Sequence, residues 1–138
     1  MSDSLQFVFQ LLVLLYSVVI HEVSHGLAAN AMGDRTAKDA GRLTLNPLKH
    51  LDMFGSFILP LLLLIARSPF VVGYAKPVPY NPNNLSDQRY GAAKVAAAGP
   101  LSNIAMAVLF GLVLRFLPDI FSSSLMPLLL AYIVYINL

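Results

Sequence analysis

The chain has 138 residues, of which 57% are hydrophobic and only 12% charged, with a mean hydropathy of +0.70. A soluble domain carries about 25% charged residues, so the composition is that of an integral membrane protein, here read as one domain over residues 1–138. The net charge of +2 is too small for a nucleic-acid binder, and the lack of cysteine excludes disulfides and thiolate metal ligands.

Met1 to Ser4 lack the basic stretch of a signal peptide, and the apolar run after them has no obvious cleavage site, so it is read as retained. That run, Leu5 to Met32 with Gly33 as its stop, predicts a first membrane helix, because a bilayer needs about 20 residues. It contains HEVSH at residues 21–25. Glu22 is the one glutamate of the chain, and His21 and His25 are two of its three histidines. Positions four apart share a helix face, so both imidazoles can reach one metal ion. Glu22 sits beside that face, where it can take a proton from a water activated by the ion. Ionisable groups inside a membrane are costly and point to function. The bland alternative is a packed histidine pair bonded to backbone carbonyls, with Glu22 reaching toward water. Histidine nitrogen with carboxylate and water suits zinc best.

Residues 33 to 50 are polar. Within them Arg42 to Leu45 alternate polar and apolar before the Asn46-Pro47 turn signal, which predicts a short strand, with an extended loop as the alternative. The second apolar segment, Met53 to Ala66, would be about 21 Å long as a helix against a core of about 30 Å, hence short, tilted or re-entrant. Asp52 is placed to cap it and Pro60 to kink it. A loop rich in proline and asparagine, Arg67 to Arg89, follows. The third segment, Val95 to Leu117, is a full span whose small opening residues (AAAG) permit close helix packing. Pro100 should bend it. Asn103 brings an amide into the membrane, either as an interhelical bond or as a substrate contact. The fourth segment, Leu125 to Leu138, is still apolar where the chain stops, and is read as an incomplete span. Arg35, Lys38, Arg42 and Lys49 put the first loop toward the cytoplasm by the positive-inside rule, although Lys76 and Arg89 in the later loop weaken the contrast. The expected fold is an all-α polytopic membrane protein of three to four segments, with a short membrane-associated strand or loop region between the first and second.

HEVSH in a membrane helix, GRLTLNPLKHLDMFG after it, GYAKPVPYNP in the next loop and AGPLSN opening a further helix, in that order, resemble the site-2 protease family of intramembrane zinc metalloproteases. The likeness runs from about Ser17 to Phe110. It implies a membrane-embedded Zn2+, hydrolysis within transmembrane segments of partner proteins, and regulated intramembrane proteolysis by a multi-pass protein of a prokaryotic cell membrane. Position by position it implies His21 and His25 as zinc ligands and Glu22 as general base. It matches the strand near Arg42 to Leu45 to a membrane-associated hairpin that holds substrate. Leu43, Thr44, Leu45 and Asn46, with Asn103, are therefore the candidate substrate contacts.

Two positions depart from the family pattern. The third zinc ligand of the family is an aspartate of an LDG-type motif on a later helix, and the chain ends at Asn137-Leu138 without one. Met53 stands where relatives often have proline. Asp52 and His50 are the nearest spare ligand candidates. The expectation is a shortened form of a longer protease, with weak zinc binding and little activity alone. Two other functions compete: a metal transporter in which His21 and His25 bind an ion in transit, and a non-catalytic scaffold that holds a membrane partner through the GPLSN helix.

Overall fold

The first apolar run folds as one 29-residue helix, α1 (Asp3–Ala31), in the computed structural model, which describes residues 3–70, 72, 74–116 and 125–138. α1 ends where glycine allows it to. Gly33 has φ +99, a left-handed conformation that side chains resist, and the N–H groups of Gly33 and Asp34 bond back to the carbonyls of Asn30 and Ala29. A single turn, α2 (Thr36–Asp39), follows. The second apolar segment is a π-helical turn, Met53–Ile58, that continues into α3 (Leu59–Ile65). The last two helices are α4 (Gly91–Phe116) and α5 (Leu125–Asn137). α4 begins earlier than the expected Val95 and runs unbroken through Pro100; its expected end at Leu117 lies outside the described residues.

Pro60 acts through register. The Leu59 N–H bonds the Phe54 carbonyl, five residues back, and Pro60 has no N–H with which to restore the four-residue ladder. The Asp52 carboxylate accepts the Gly55 N–H at 2.7 Å, the capping role its position predicts.

α1 packs against α4 and α5, and α4 packs against α5. Val19, Val23, Gly26 and Ala29 of α1 recur at steps of four and three, so they form one buried stripe. Ala29 joins Val95 of α4 and Leu85 of the preceding loop in a small core cluster. The opposite flanks are apolar and exposed: Leu5, Leu11 and Leu14 on α1, and Leu101, Ile104 and Val108 on α4. α1 and α4 are both long and apolar enough to cross a bilayer, and only 17% and 11% of their most apolar windows are buried within the fold. The core helix of a soluble protein would be mostly covered; these two leave their apolar surface outward, as lipid-facing helices do. Met53–Ile65 and Met126–Asn137 are apolar but shorter, about 20 Å as helices. Two of the four expected membrane segments therefore reach spanning length.

The strand expected over Arg42 to Leu45 does not form, and no strand occurs among the described residues. Local bonds take the groups a ladder would need. The Thr44 carbonyl accepts a bond from the His50 ring, and Thr44 Oγ1 accepts the Asn46 N–H. The Asn46 side chain accepts the Leu48 N–H and starts a 3-10 turn, Pro47–Lys49. Gly41, at φ +63, turns the chain just before them. Arg42 is buried, and its guanidinium donates to the carbonyls of Lys76 (2.6 Å) and Pro77 (3.4 Å). One of the four basic residues used to orient the first loop is thus an internal clamp, which weakens that orientation further.

Candidate metal centre

His21, Glu22 and His25 sit on the later part of α1, each partly buried, with ligand atoms within 4.8 Å of one another. The two imidazole rings stand edge to face, centroids 4.7 Å apart. His25 Nδ1 lies 2.6 Å from the Val95 carbonyl of α4. A carbonyl can only accept, so Nδ1 carries a proton; in the neutral ring this leaves the lone pair on Nε2, the tautomer that a metal-binding histidine needs.

Gly99 brings α4 close to the pair. A Cβ on Gly99 would lie 2.5 Å from both His21 Nε2 and His25 Nε2. Both Nε2 atoms therefore lie side by side against the α4 backbone, and only glycine lets α4 approach them so closely. The donor set itself, two imidazoles with a carboxylate beside them and ligand atoms this close, suits zinc, which histidine nitrogen binds at about 2.0–2.1 Å.

Glu22 faces another segment. Its Oε2 accepts the Val78 N–H at 2.9 Å. Val78 belongs to an extended stretch, Tyr74 to Tyr80, whose alternate N–H groups turn inward. Tyr74 donates to the Gly55 carbonyl, Lys76 to the His50 carbonyl at 2.8 Å, and Val78 to Glu22. The Val78 side chain packs at Gly26, one residue beyond His25. A Cβ there would meet Val78 Cγ1 at 2.8 Å and Leu43 Cδ2 at 2.6 Å.

Asp34 pins the far end of this stretch. Its fully buried carboxylate accepts the Asn81 N–H (2.7 Å), the Asn84 amide (3.1 Å), and the hydroxyl and N–H of Thr36. Burial opposes ionisation of Asp34, but the bonds from the Thr36 hydroxyl, Asn81, Asn84 and the Thr36 N–H outweigh it and hold the carboxyl below its ordinary value.

The spare ligand candidates lie elsewhere. His50 is 1% exposed and gives its Nε2–H to the Thr44 carbonyl at 2.8 Å, while Asp52 caps its own helix. Among the described residues no further histidine or carboxylate joins the His21–Glu22–His25 group. Of the substrate-contact candidates, Leu43 packs on α1 beside the group, Thr44 and Asn46 make local turns, and Leu45 is exposed. Asn103 lies one turn beyond Gly99 on α4, and its Oδ1 is enclosed with no partner among the described residues.

A family model described as "Peptidase family M50" matches residues 9–136. The chain belongs to peptidase family M50. It is 41% identical over 99 residues to "Putative zinc metalloprotease YwhC" of Bacillus subtilis, a match covering 72% of this chain and 42% of the relative. It is 33% identical over 95 residues to "Putative zinc metalloprotease Rip2" of Mycolicibacterium smegmatis, covering 69% and 35%. The matched chain thus spans less than half the length of either relative. No solved structure matches it. Membership agrees with the order of motifs along the chain. Sequence reasoning found the two imidazoles and the carboxylate of this M50 chain but missed the Val95 carbonyl and the Val78 amide. Gly99 left a trace, since the AAAG run signals close packing, yet nothing in the run says that a histidine pair faces it.

Proposed function

We propose that this M50 chain carries the catalytic helices of an intramembrane zinc metalloprotease that cuts peptide bonds within or near transmembrane segments of other membrane proteins. The observation that carries the reading is the cluster of His21, His25 and Glu22 donor atoms, with both Nε2 atoms side by side against Gly99. Zinc held by the two imidazoles would supply a Lewis acid and bring the pKa of a water to about 7. Glu22 takes a proton from the attacking water and passes it to the leaving nitrogen. Oε2 is held by Val78, so Oε1 is the oxygen free for that transfer. Asn103, with its unpartnered Oδ1, is the polar group proposed to meet water or substrate on the α4 side. A substrate helix hides its carbonyls in its own hydrogen bonds, so it must unwind before Glu22 can act. The exposed apolar flanks of α1 and α4 support a membrane setting, and a multi-pass protein of a prokaryotic cell membrane is the proposed location.

Glu22→Gln in the full-length protein should lower cleavage of a transmembrane substrate by about 10²–10⁴-fold while zinc stays bound, because the amide cannot take the proton. Cleavage undiminished in that variant, measured beside zinc content by mass spectrometry, would remove Glu22 from the chemistry. One observation favours a second reading, a non-catalytic scaffold: no third imidazole or carboxylate joins the group among the described residues. A scaffold binds its partner equally with Gln at position 22 and cleaves nothing in either form.

A further inference from the structure

Glu22 is held by a backbone amide 56 residues away in the chain, and the sequence around that amide is unusual. Val78 stands between Pro77 and Pro79 in Lys76-Pro-Val-Pro79. Proline has no N–H, so Val78 is the one donor that residues 77–79 possess. Lys76 and Val78 both precede proline, which disfavours helix and pushes them to extended backbone. This short run is stiff before it folds, and it presents a single N–H.

Three anchors then fix where that N–H points. The Arg42 guanidinium grips the carbonyls of Lys76 and Pro77. The Val78 side chain, 7% exposed, packs at Gly26, one turn beyond Glu22 on α1. Asp34 takes the Asn81 N–H three residues on. A flexible glutamate at the rim of a helix would otherwise sample several rotamers and lose side-chain entropy each time it acted.

We infer that the Val78 backbone amide, set by its flanking prolines and by Arg42, is a positioning group that locks the Glu22 carboxylate in its working orientation beside the histidine pair. The inference rests on the protease reading for the word "working" and on the 2.9 Å hydrogen bond for the contact. The amide does not touch substrate. It holds Oε2 and so fixes the carboxylate beside the histidine pair, leaving Oε1 for the proton transfer. Misplacement of a reacting group by about 1 Å can cost roughly 10²-fold, so losing this bond should matter even though every catalytic side chain remains.

The test joins amide exchange with kinetics, using the full-length protein in nanodiscs. In hydrogen-exchange mass spectrometry, residues 77–79 report the Val78 amide alone. That amide should be protected in the wild type and lose its protection in Glu22→Ala. Protection that is absent from the wild type, or unchanged by Glu22→Ala, overturns the contact. In the kinetic arm, Val78→Pro deletes the N–H while keeping extended backbone, and Val78→Ala keeps the N–H while trimming the packing. Val78→Pro should lower kcat by about 10- to 100-fold with KM and zinc content little changed, and Val78→Ala should retain clearly more activity. Equal kcat for Val78→Pro and wild type, on a substrate that Glu22→Gln does not cut, overturns the positioning role. A wild type that cuts no transmembrane substrate, yet shows Glu22-dependent protection of Val78, overturns the protease reading and with it the role of base, while the contact stands.

Discussion

At Gly99 one missing carbon lets α4 rest against the histidine pair. A Cβ would press on the Nε2 atoms of both histidines at 2.5 Å. Those atoms are the far ends of side chains, so relief comes from swinging the rings rather than from moving α4. A swung His25 must also break its 2.6 Å bond to Val95. Gly99→Ala should therefore leave the fold intact by circular dichroism and cut zinc affinity by at least about tenfold, a loss of about 1.4 kcal/mol. Stoichiometric zinc in Gly99→Ala, with His21→Ala as the empty reference, would count against Gly99 as what sets the histidine pair. HEVSH was legible in the sequence because helical spacing alone puts its imidazoles on one face. The glycine's part was not legible, since it depends on which face of α4 meets α1, and helix pairing is set by packing rather than by local pattern.

The elements between the helices are held by polar nodes. Asp34 joins the end of α1 to the turn at Pro82–Asn84 through bonds accepted from Asn81 and Asn84, and to α2 through two from Thr36. Asp34→Ala leaves the Asn81 and Thr36 N–H groups without an acceptor and should destabilise the protein by roughly 2–3 kcal/mol, seen as a lower unfolding midpoint and faster exchange at Asn81. Its pH dependence has a fixed sign. The folded-state pKa is depressed, so the contribution is complete above the unfolded carboxylate value of about 3.9 and is lost as pH falls through the lower folded value. Midpoints of wild type and Asp34→Ala should differ by a constant amount from about pH 7 down to about pH 5 and converge in stronger acid. A gap that widens toward low pH would contradict the depressed value. The polar loop was where sequence reasoning erred. Alternation at Arg42 to Leu45 resembles a strand, but a strand needs a partner, and here the Thr44 carbonyl, the Asn46 amide and the Arg42 guanidinium already have partners of other kinds.

Across the whole molecule, the helices are covered where they meet and bare elsewhere. Ile104, near the middle of α4, is 50% exposed. If lipid covers that face, Ile104→Lys should disfavour insertion by about 2.5–3.5 kcal/mol, the central-helix penalty for a charge. An insertion reporter fused after α4 would read that loss, and unchanged insertion would place the face in water or against protein. Hydropathy placed the four apolar helices seen among the described residues to within a few residues because length and composition carry that signal, whereas the three-way packing of α1, α4 and α5 and the docking of the proline-rich stretch on α1 needed the folded chain.

The prolines beside Val78 have one more effect. Along an extended chain, neighbouring residues aim their N–H groups at opposite edges. Tyr74, Lys76 and Val78 turn theirs inward. The outward edge then falls to residues of the other parity, and two of these, Pro77 and Pro79, have no N–H to offer, while the Pro77 carbonyl is already taken by Arg42. A strand arriving from a second molecule would find few donors for its own carbonyls. The stretch that touches the reactive glutamate is thereby a poor template for sheet growth, so this protein can keep an extended segment near its surface without inviting copies of itself to zip onto it.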